Sequence, residues 1–296
     1  MSYVKRIGII GKQSYIGTHF KDFYNAESMN TVESVNSRNG EWQAIDFSRF
    51  DVLLHVAGIA HVSTDPSMES IYYEVNRDLP IAVAKKAKAE GVKQFIFLSS
   101  MIVYGDDQPI GQETVITEDT IPKPANFYGK SKLQAEQGLL ALWDDYFTVT
   151  ILRLPMVYGE GCKGNFPRLV ALAMKTPFFP TIENRRSMIY IGNLCVFLKN
   201  LVEAKTPGIL FPQNAEYVST KEIVRHSARL SGRKIIFVGI FNPLIVTMSS
   251  KVGVFRKMFS SKVYAKSLSP GMQAYNLYTF EQSMERYFAY TYRGKE

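Results

Sequence analysis

Over its first two-thirds the chain alternates short apolar runs with amphipathic stretches. Residues 6–10, 52–56, 94–99 and 148–152 are compact runs rich in β-branched, aliphatic or aromatic side chains, bounded by Gly, Ser or Asp. Such runs, with little polar alternation, predict strands covered on both faces, as in a parallel sheet. Between them, residues 80–90 and 131–143 carry apolar positions at helical spacing, and Gly91 stands just past the first as a stop. Strand–helix alternation of this kind predicts an α/β fold with a doubly wound parallel sheet. Beyond about Gly159 the pattern turns irregular, with Pro167, Pro177, Pro180, Pro207, Pro212, Pro243 and Pro270. A smaller, irregular C-terminal substrate domain is expected there. The expected division is 1–160 and 161–296, with late strand–helix elements around 186–203 returning to the first.

Composition changes this picture little. The chain has 296 residues, 46% hydrophobic and 21% charged, which is ordinary for a globular protein and excludes a disordered or collagen-like one. Its net charge of +8 is local rather than general. Ten Lys/Arg against the single acid Glu222 fall within 221–266, so that segment alone carries +9. Cys162 and Cys195 have no metal-type spacing, which points to a reducing compartment and away from a disulfide framework or zinc site. The chain enters a strand-like run at 4–10 that contains Lys5 and Arg6, so no secretory leader is expected. A cytoplasmic protein follows as the expectation.

Two motifs carry chemistry. Gly11-Lys-Gln-Ser14-Tyr15-Ile16-Gly17 follows the first strand and opens a helix. A turn of this kind brings backbone N–H groups and a helix N-terminus to a pyrophosphate, while Gly17 allows close helix–strand packing. Tyr128 and Lys132, at i and i+4, share a helix face, and Ser100 ends the strand at 94–99. A cation beside the phenol would lower its pKa from the usual ~10, so that Tyr128 exchanges a proton with a carbinol oxygen that Ser100 also holds. Either motif alone is common. In this order they predict a Rossmann-type dinucleotide domain bearing a redox site.

With these residues the chain resembles an extended short-chain dehydrogenase/reductase of the NAD-dependent epimerase/dehydratase family, whose members act on nucleotide sugars. Phe95-Ile-Phe-Leu-Ser-Ser100-Met-Ile-Val-Tyr104-Gly105 is similar to the family's serine-bearing strand, and Asn126-Phe-Tyr128-Gly-Lys-Ser-Lys132 to its catalytic helix. Arg153-Leu-Pro155-Met-Val-Tyr158-Gly159 and Arg186-Ser-Met-Ile-Tyr190-Ile-Gly-Asn193 resemble two later segments. The resemblance implies Ser100, Tyr128 and Lys132 as catalytic residues. It implies cofactor contacts from the glycine turn, from Asp46 and Phe47 beside adenine, from Ala57 and Gly58, and from Pro155. It further implies substrate contacts at Met101, Met156, Asn165 and Arg186, the last on the nucleotide diphosphate, and a homodimer.

Three departures from the family pattern bear on the reaction. Ser14 replaces the middle glycine of the turn, which narrows the approach to the pyrophosphate. The second strand ends Asn36-Ser37-Arg38, an arginine without the acid that would hold a ribose 2′-OH, which favours NADP(H) over NAD(H). Met156 stands where many family epimerases carry an asparagine. Together these point to reduction of the C4 keto group of a UDP-4-keto-6-deoxy-N-acetylhexosamine, for cell-surface polysaccharide synthesis. A UDP-hexose or UDP-N-acetylhexosamine 4-epimerase with retained NAD is the alternative. Met101 and Ile102 cannot move protons, which argues against a dehydratase. A non-catalytic cofactor-binding protein would be expected to lose Tyr128 or Lys132, and both are present. The basic segment shows no nucleic-acid module, so no specific nucleic-acid partner is expected. Within it, residues 235–248 read as a core helix with cationic flanks, and peripheral membrane proximity through 233–266 is the second reading.

Overall fold

The computed structural model describes residues 5–27, 31–60 and 65–293, so Val4 at the edge of the expected first strand lies outside them. In chain order the strands are β1 (Arg6–Ile10), β2 (Thr31–Val35), β3 (Val52–His55), β4 (Gln94–Ser100), β5 (Glu113–Ile116), β6 (Thr148–Leu154), β7 (Met156–Tyr158), β8 (Phe178–Pro180), β9 (Met188–Tyr190), β10 (Gly208–Leu210), β11 (Ile236–Val238) and β12 (Ser261–Tyr264). The α-helices are α1 (Tyr15–Glu27), α2 (Glu69–Tyr73), α3 (Leu79–Ala89), α4 (Phe127–Leu140), α5 (Asn165–Ala173), α6 (Ile191–Ala204), α7 (Thr220–Leu230), α8 (Asn242–Ser249), α9 (Gly253–Phe259) and α10 (Phe280–Phe288). They fall into two compact units. The first comprises Met1–Gly105, Ile121–Leu154 and Leu194–Pro212, and the second Asp106–Thr120, Pro155–Asn193 and Gln213–Glu296.

In the first unit six parallel strands lie in the order β10-β6-β4-β3-β1-β2. The order reverses between β1 and β3, which opens a crevice beyond their carboxyl ends. Ile7, Ile9, Ile10, Leu53, Phe95, Phe97 and Ile151 are completely buried. The apolar runs therefore are strands covered on both faces. Leu53, Phe95, Phe97 and Ile151 pack with Val83, Ala84 and Ala87 of α3 and with Ala135 and Leu139 of α4. Burying such side chains contributes about 1.5–3 kcal/mol each. Gly91 ends α3 at a φ of 83°, where a side chain would be strained. Between α2 and α3 the helix widens into a π turn, Glu74–Asp78.

The sheet unit ends at Leu154 rather than near 160 and gives up Asp106–Thr120. The late elements expected around 186–203 return to it as Leu194–Pro212, where β10 extends the sheet edge beside β6.

The second unit is built from two-stranded parallel pairs, β5 with β12, β7 with β9 and β8 with β11. One cluster gathers Ala173, Phe179, Ile182, Val224 and Phe259, with Ile235, Phe237, Ile245, Phe255 and Met258 packed on it. Residues 235–248 are not the core helix expected of them. Gly239 and the Asn242-Pro243 start of α8 break the run into a strand, a turn and a short helix, and Ile240 and Leu244 are left exposed.

Candidate active site

The glycine turn leaves β1 at the reversal point. Gly11 has a φ of 126°, and a Cβ there would lie 3.0 Å from the Ala57 nitrogen. At Gly17 a Cβ would meet the Ser14 hydroxyl at 2.4 Å and Ile9 at 2.9 Å. Ser14 precedes α1 and turns inward: its Oγ accepts a hydrogen bond from the Gly17 N–H at 3.1 Å. The side chain that replaces the middle glycine therefore acts as a helix N-cap. It takes one of the donors that the helix end would otherwise offer an anion. Tyr15 and Ile16 form the first residues of the helix, with the Tyr15 ring edge-on to His19.

Beside the turn is a cavity of about 1110 Å³. Its wall includes Gly11, Lys12, Ser14, Ala57 and Gly58 near β1 and β3, and Asn36, Ser37, Arg38 and Trp42 after β2. The end of β2 supplies no carboxylate. Lys12, Trp42 and Asn76 escape the sequence reading, although a cation inside a glycine turn is itself a legible signal for bound phosphate. Asp46 and Phe47 do not line this cavity. The Asp46 carboxylate accepts from the Ser48 N–H and hydroxyl at 2.9 and 2.7 Å, and Phe47 is wholly inside the core. The cradle fits a dinucleotide: a glycine turn that excludes side chains, a helix N-terminus, and Lys12 and Arg38 among its lining residues.

Ser100, Tyr128 and Lys132 come together in the first unit. Asn126 starts α4 by accepting from the Gly129 N–H at 3.0 Å, which places Tyr128 in its first turn and Lys132 one turn on. Ser100 ends β4, and its hydroxyl is hydrogen-bonded to Tyr128. Met101 begins the short 3-10 turn that follows. Lys132 is buried; its Nζ donates to the Leu98 carbonyl at 2.9 Å and lies 4.4 Å from the Phe97 ring centre. A Cβ on Gly58 would come within 3.0 Å of Asn76 Oδ1 and 3.4 Å of Lys132 Nζ, so glycine is required for this approach. Asn76, in the π turn, clamps the Ile59 peptide by accepting from its N–H at 2.9 Å and donating to its C=O at 3.0 Å.

The charge state differs from expectation. Burial pushes the Tyr128 phenol up to about 12, only partly offset by the Ser100 hydrogen bond. Lys132 does not lower it, because the ammonium is turned to the Leu98 carbonyl and is itself brought down to about 8 by burial.

The remaining predicted residues belong to the second unit. Pro155 is buried, Met156 opens β7, and the exposed Asn165 opens α5. Arg186 is engaged at the end of α9. Its Nε donates to the Ser260 carbonyl at 3.2 Å, and Nη2 donates to the Lys257 carbonyl and, at 3.3 Å, to the Ser260 hydroxyl. Burial lowers its pKa, against the attraction of Asp107. A guanidinium held this way caps a helix C-terminus.

The sheet order, glycine turn and cavity define a dinucleotide-binding protein of Rossmann type. Its sequence matches the NAD dependent epimerase/dehydratase family over residues 7–209, and the chain belongs to that family. It is 37% identical over 185 residues to a UDP-glucose 4-epimerase of Vibrio cholerae, a match covering 60% of this chain and 56% of that protein. The chain thus spans little more than half the length of that relative. Its fold is similar to a dTDP-4-dehydrorhamnose reductase from Clostridium acetobutylicum, with a TM-score of 0.74 at 15% identity over 96% of this chain and 98% of the other. It is also similar to RMD from Pseudomonas aeruginosa complexed with NADPH, with a TM-score of 0.74 at 16% identity over 96% and 99% of the two chains.

Proposed function

We infer that the protein is a nucleotide-sugar 4-ketoreductase using NADPH, acting on a UDP-4-keto-6-deoxy-N-acetylhexosamine in cell-surface polysaccharide synthesis. The observation that carries this reading is Arg38 on the lining of the cavity, where the end of β2 offers no carboxylate, with Lys12 of the glycine turn lining the same cavity. Glu74 and Asp78 line the cavity too, but with Arg38 and no acid at the end of β2 that end suits a 2′-phosphate, whereas a retained NAD would be held there by an acid on its ribose hydroxyls. Ser14 adds to it by spending the Gly17 N–H on its own hydroxyl, which suits a cofactor that leaves after each turnover.

Bound in this cradle, the dinucleotide supplies the hydride that goes to C4. Ser100 and Tyr128 hold the C4 oxygen between their hydroxyls, and Tyr128, a phenol kept protonated by burial, gives it the proton. Lys132, one helical turn away, is held at the Leu98 carbonyl next to Gly58, and Asn76 fixes the strand end that passes it. Arg186 is the group proposed for the substrate diphosphate.

A 4-epimerase is the second reading, favoured by the 37% identity to the Vibrio cholerae UDP-glucose 4-epimerase. One experiment separates the two. Purified protein given a UDP-4-keto-6-deoxy-N-acetylhexosamine should consume NADPH, seen as loss of its absorbance. Conversion of UDP-glucose or UDP-N-acetylglucosamine to the C4 epimer without added reductant would overturn the reductase.

A further inference from the structure

The second unit has an outer layer that is apolar on both sides. Its inner side chains, Phe179 of β8, Phe237 of β11, Ile245 of α8 and Phe255 of α9, pack on the unit's core. The side chains between them face out. Phe178 and Ile236, direct partners in the β8–β11 register, are 50% and 56% exposed. In the turn that follows, Ile240 is 82% exposed, and on α8 Leu244 is 59% exposed with Met248 one turn further. The turn is built rather than loose: Asn242 accepts from the Thr181 N–H at 3.1 Å and donates to its hydroxyl at 2.9 Å. Apolar side chains held outward by a fixed backbone mark an interaction surface.

Charge decides what that surface meets. Residues 223–280 contain nine Lys/Arg and no Asp or Glu. Lys234, Lys251 and Lys257 are exposed at the borders of the apolar elements. A second copy of the chain is a poor occupant, since a self-complementary face would oppose these cations to themselves with no acid inside the segment to answer them. Lysine is also depleted from the cores of protein interfaces. A bilayer containing anionic lipid meets both requirements, with acyl chains for Ile240, Leu244 and Met248 and phosphates for the lysines. Among the described residues no helix is long and apolar enough to cross a membrane, so the contact is one of lying on the surface.

We propose that the layer formed by β8, β11, α8 and α9 is a membrane-surface site that seats the protein on anionic lipid bilayers. The site is independent of which reaction the first unit supports. It is tested by flotation of the full chain with vesicles of phosphatidylethanolamine and phosphatidylglycerol, against vesicles of phosphatidylcholine. Binding is expected on the anionic vesicles and is expected to weaken as salt is raised. Lys251→Gln and Lys257→Gln should each weaken it about five-fold. Leu244→Ser with Met248→Ser should weaken it by about ten-fold or more. Unchanged circular dichroism and dinucleotide binding in these variants would show that the fold is retained. No binding to the anionic vesicles, or equal and salt-independent binding to both kinds, would overturn the proposal. Self-association of the parent chain that Leu244→Ser abolishes would assign the face to a second copy and overturn it as well.

Discussion

Glu136 and Arg153 grip each other in a buried two-pronged ion pair, with Arg153 Nη2 2.6 Å from Oε2 and Nε 3.1 and 3.2 Å from the two carboxylate oxygens. Ser99 donates to the same carboxylate, and Arg153 Nη1 donates to the Tyr104 hydroxyl at 2.6 Å. The pair thus ties β4, α4 and β6 together one residue from Ser100 and one helical turn from Lys132. Removing one member leaves the other charge buried and unanswered. Glu136→Gln or Arg153→Met is expected to lower stability by about 3–5 kcal/mol, whereas replacing both by apolar residues should recover most of the loss. Urea unfolding of the three variants checks this; a double variant as unstable as the singles would contradict it.

In the proposed keto reduction the proton comes from Tyr128, and burial keeps that phenol protonated well beyond neutrality. The falling limb of the pH profile therefore belongs to Lys132, whose ammonium is lost near pH 8. Turnover is expected to be level through neutrality and to decline above about that pH, by roughly ten-fold per unit if the charge is essential. Tyr128→Phe should cost roughly a hundred- to ten-thousand-fold while leaving the fold intact. Lys132→Met should remove the limb together with most of the rate. Steady-state kinetics across pH distinguish these outcomes, and a profile rising through pH 8 would assign the limb elsewhere.

Arg38 and Lys12 give the cofactor preference a direct handle. Arg38→Ala or Lys12→Ala is expected to weaken NADPH about ten-fold or more, the worth of a charge-assisted hydrogen bond, and to leave NADH within about two-fold. Titration calorimetry with both dinucleotides measures it. Equal losses for both would mean that these cations meet the shared diphosphate instead of the 2′-phosphate.

His55 lies completely buried between Phe95 and Phe97, and neither ring nitrogen has a hydrogen-bonding partner among the described residues. Burial lowers its pKa from 6.5 to about 3. Between those two values the unfolded chain takes up a proton that the folded chain refuses, so stability falls as pH drops through that window. The slope is at most about 1.4 kcal/mol per pH unit. His55→Leu should remove this share of the acid sensitivity and cost little at neutral pH, because no hydrogen bond is lost. Thermal unfolding at several pH values tests the difference in slope.

The sheet was legible where a local rule sufficed. The buried runs became β1, β3, β4 and β6, with Ser100 at the end of β4 beside Tyr128 of α4 and Lys132 one turn on. Asn76 was not legible, because its role depends on a π turn that shifts the helix by a residue, and periodicity at 3.6 does not reveal such a turn. Nor was the state of Tyr128, since i and i+4 spacing brings the lysine near but does not say that the Leu98 carbonyl takes its ammonium. The run at 235–248 misled for a related reason: hydrophobicity reports a preference for burial, but the inner positions of that layer already fill the core.

The chain passes from one compact unit to the other at Gly105, Thr120, Leu154, Asn193 and Pro212. No single cut in the gene therefore releases either unit as a continuous polypeptide. The second unit cannot be exchanged by fusing a ready-made module to the sheet unit. Exchange must replace three separate stretches, the first two of which lead back into the sheet unit, and an engineer grafting that unit from a relative faces the same requirement.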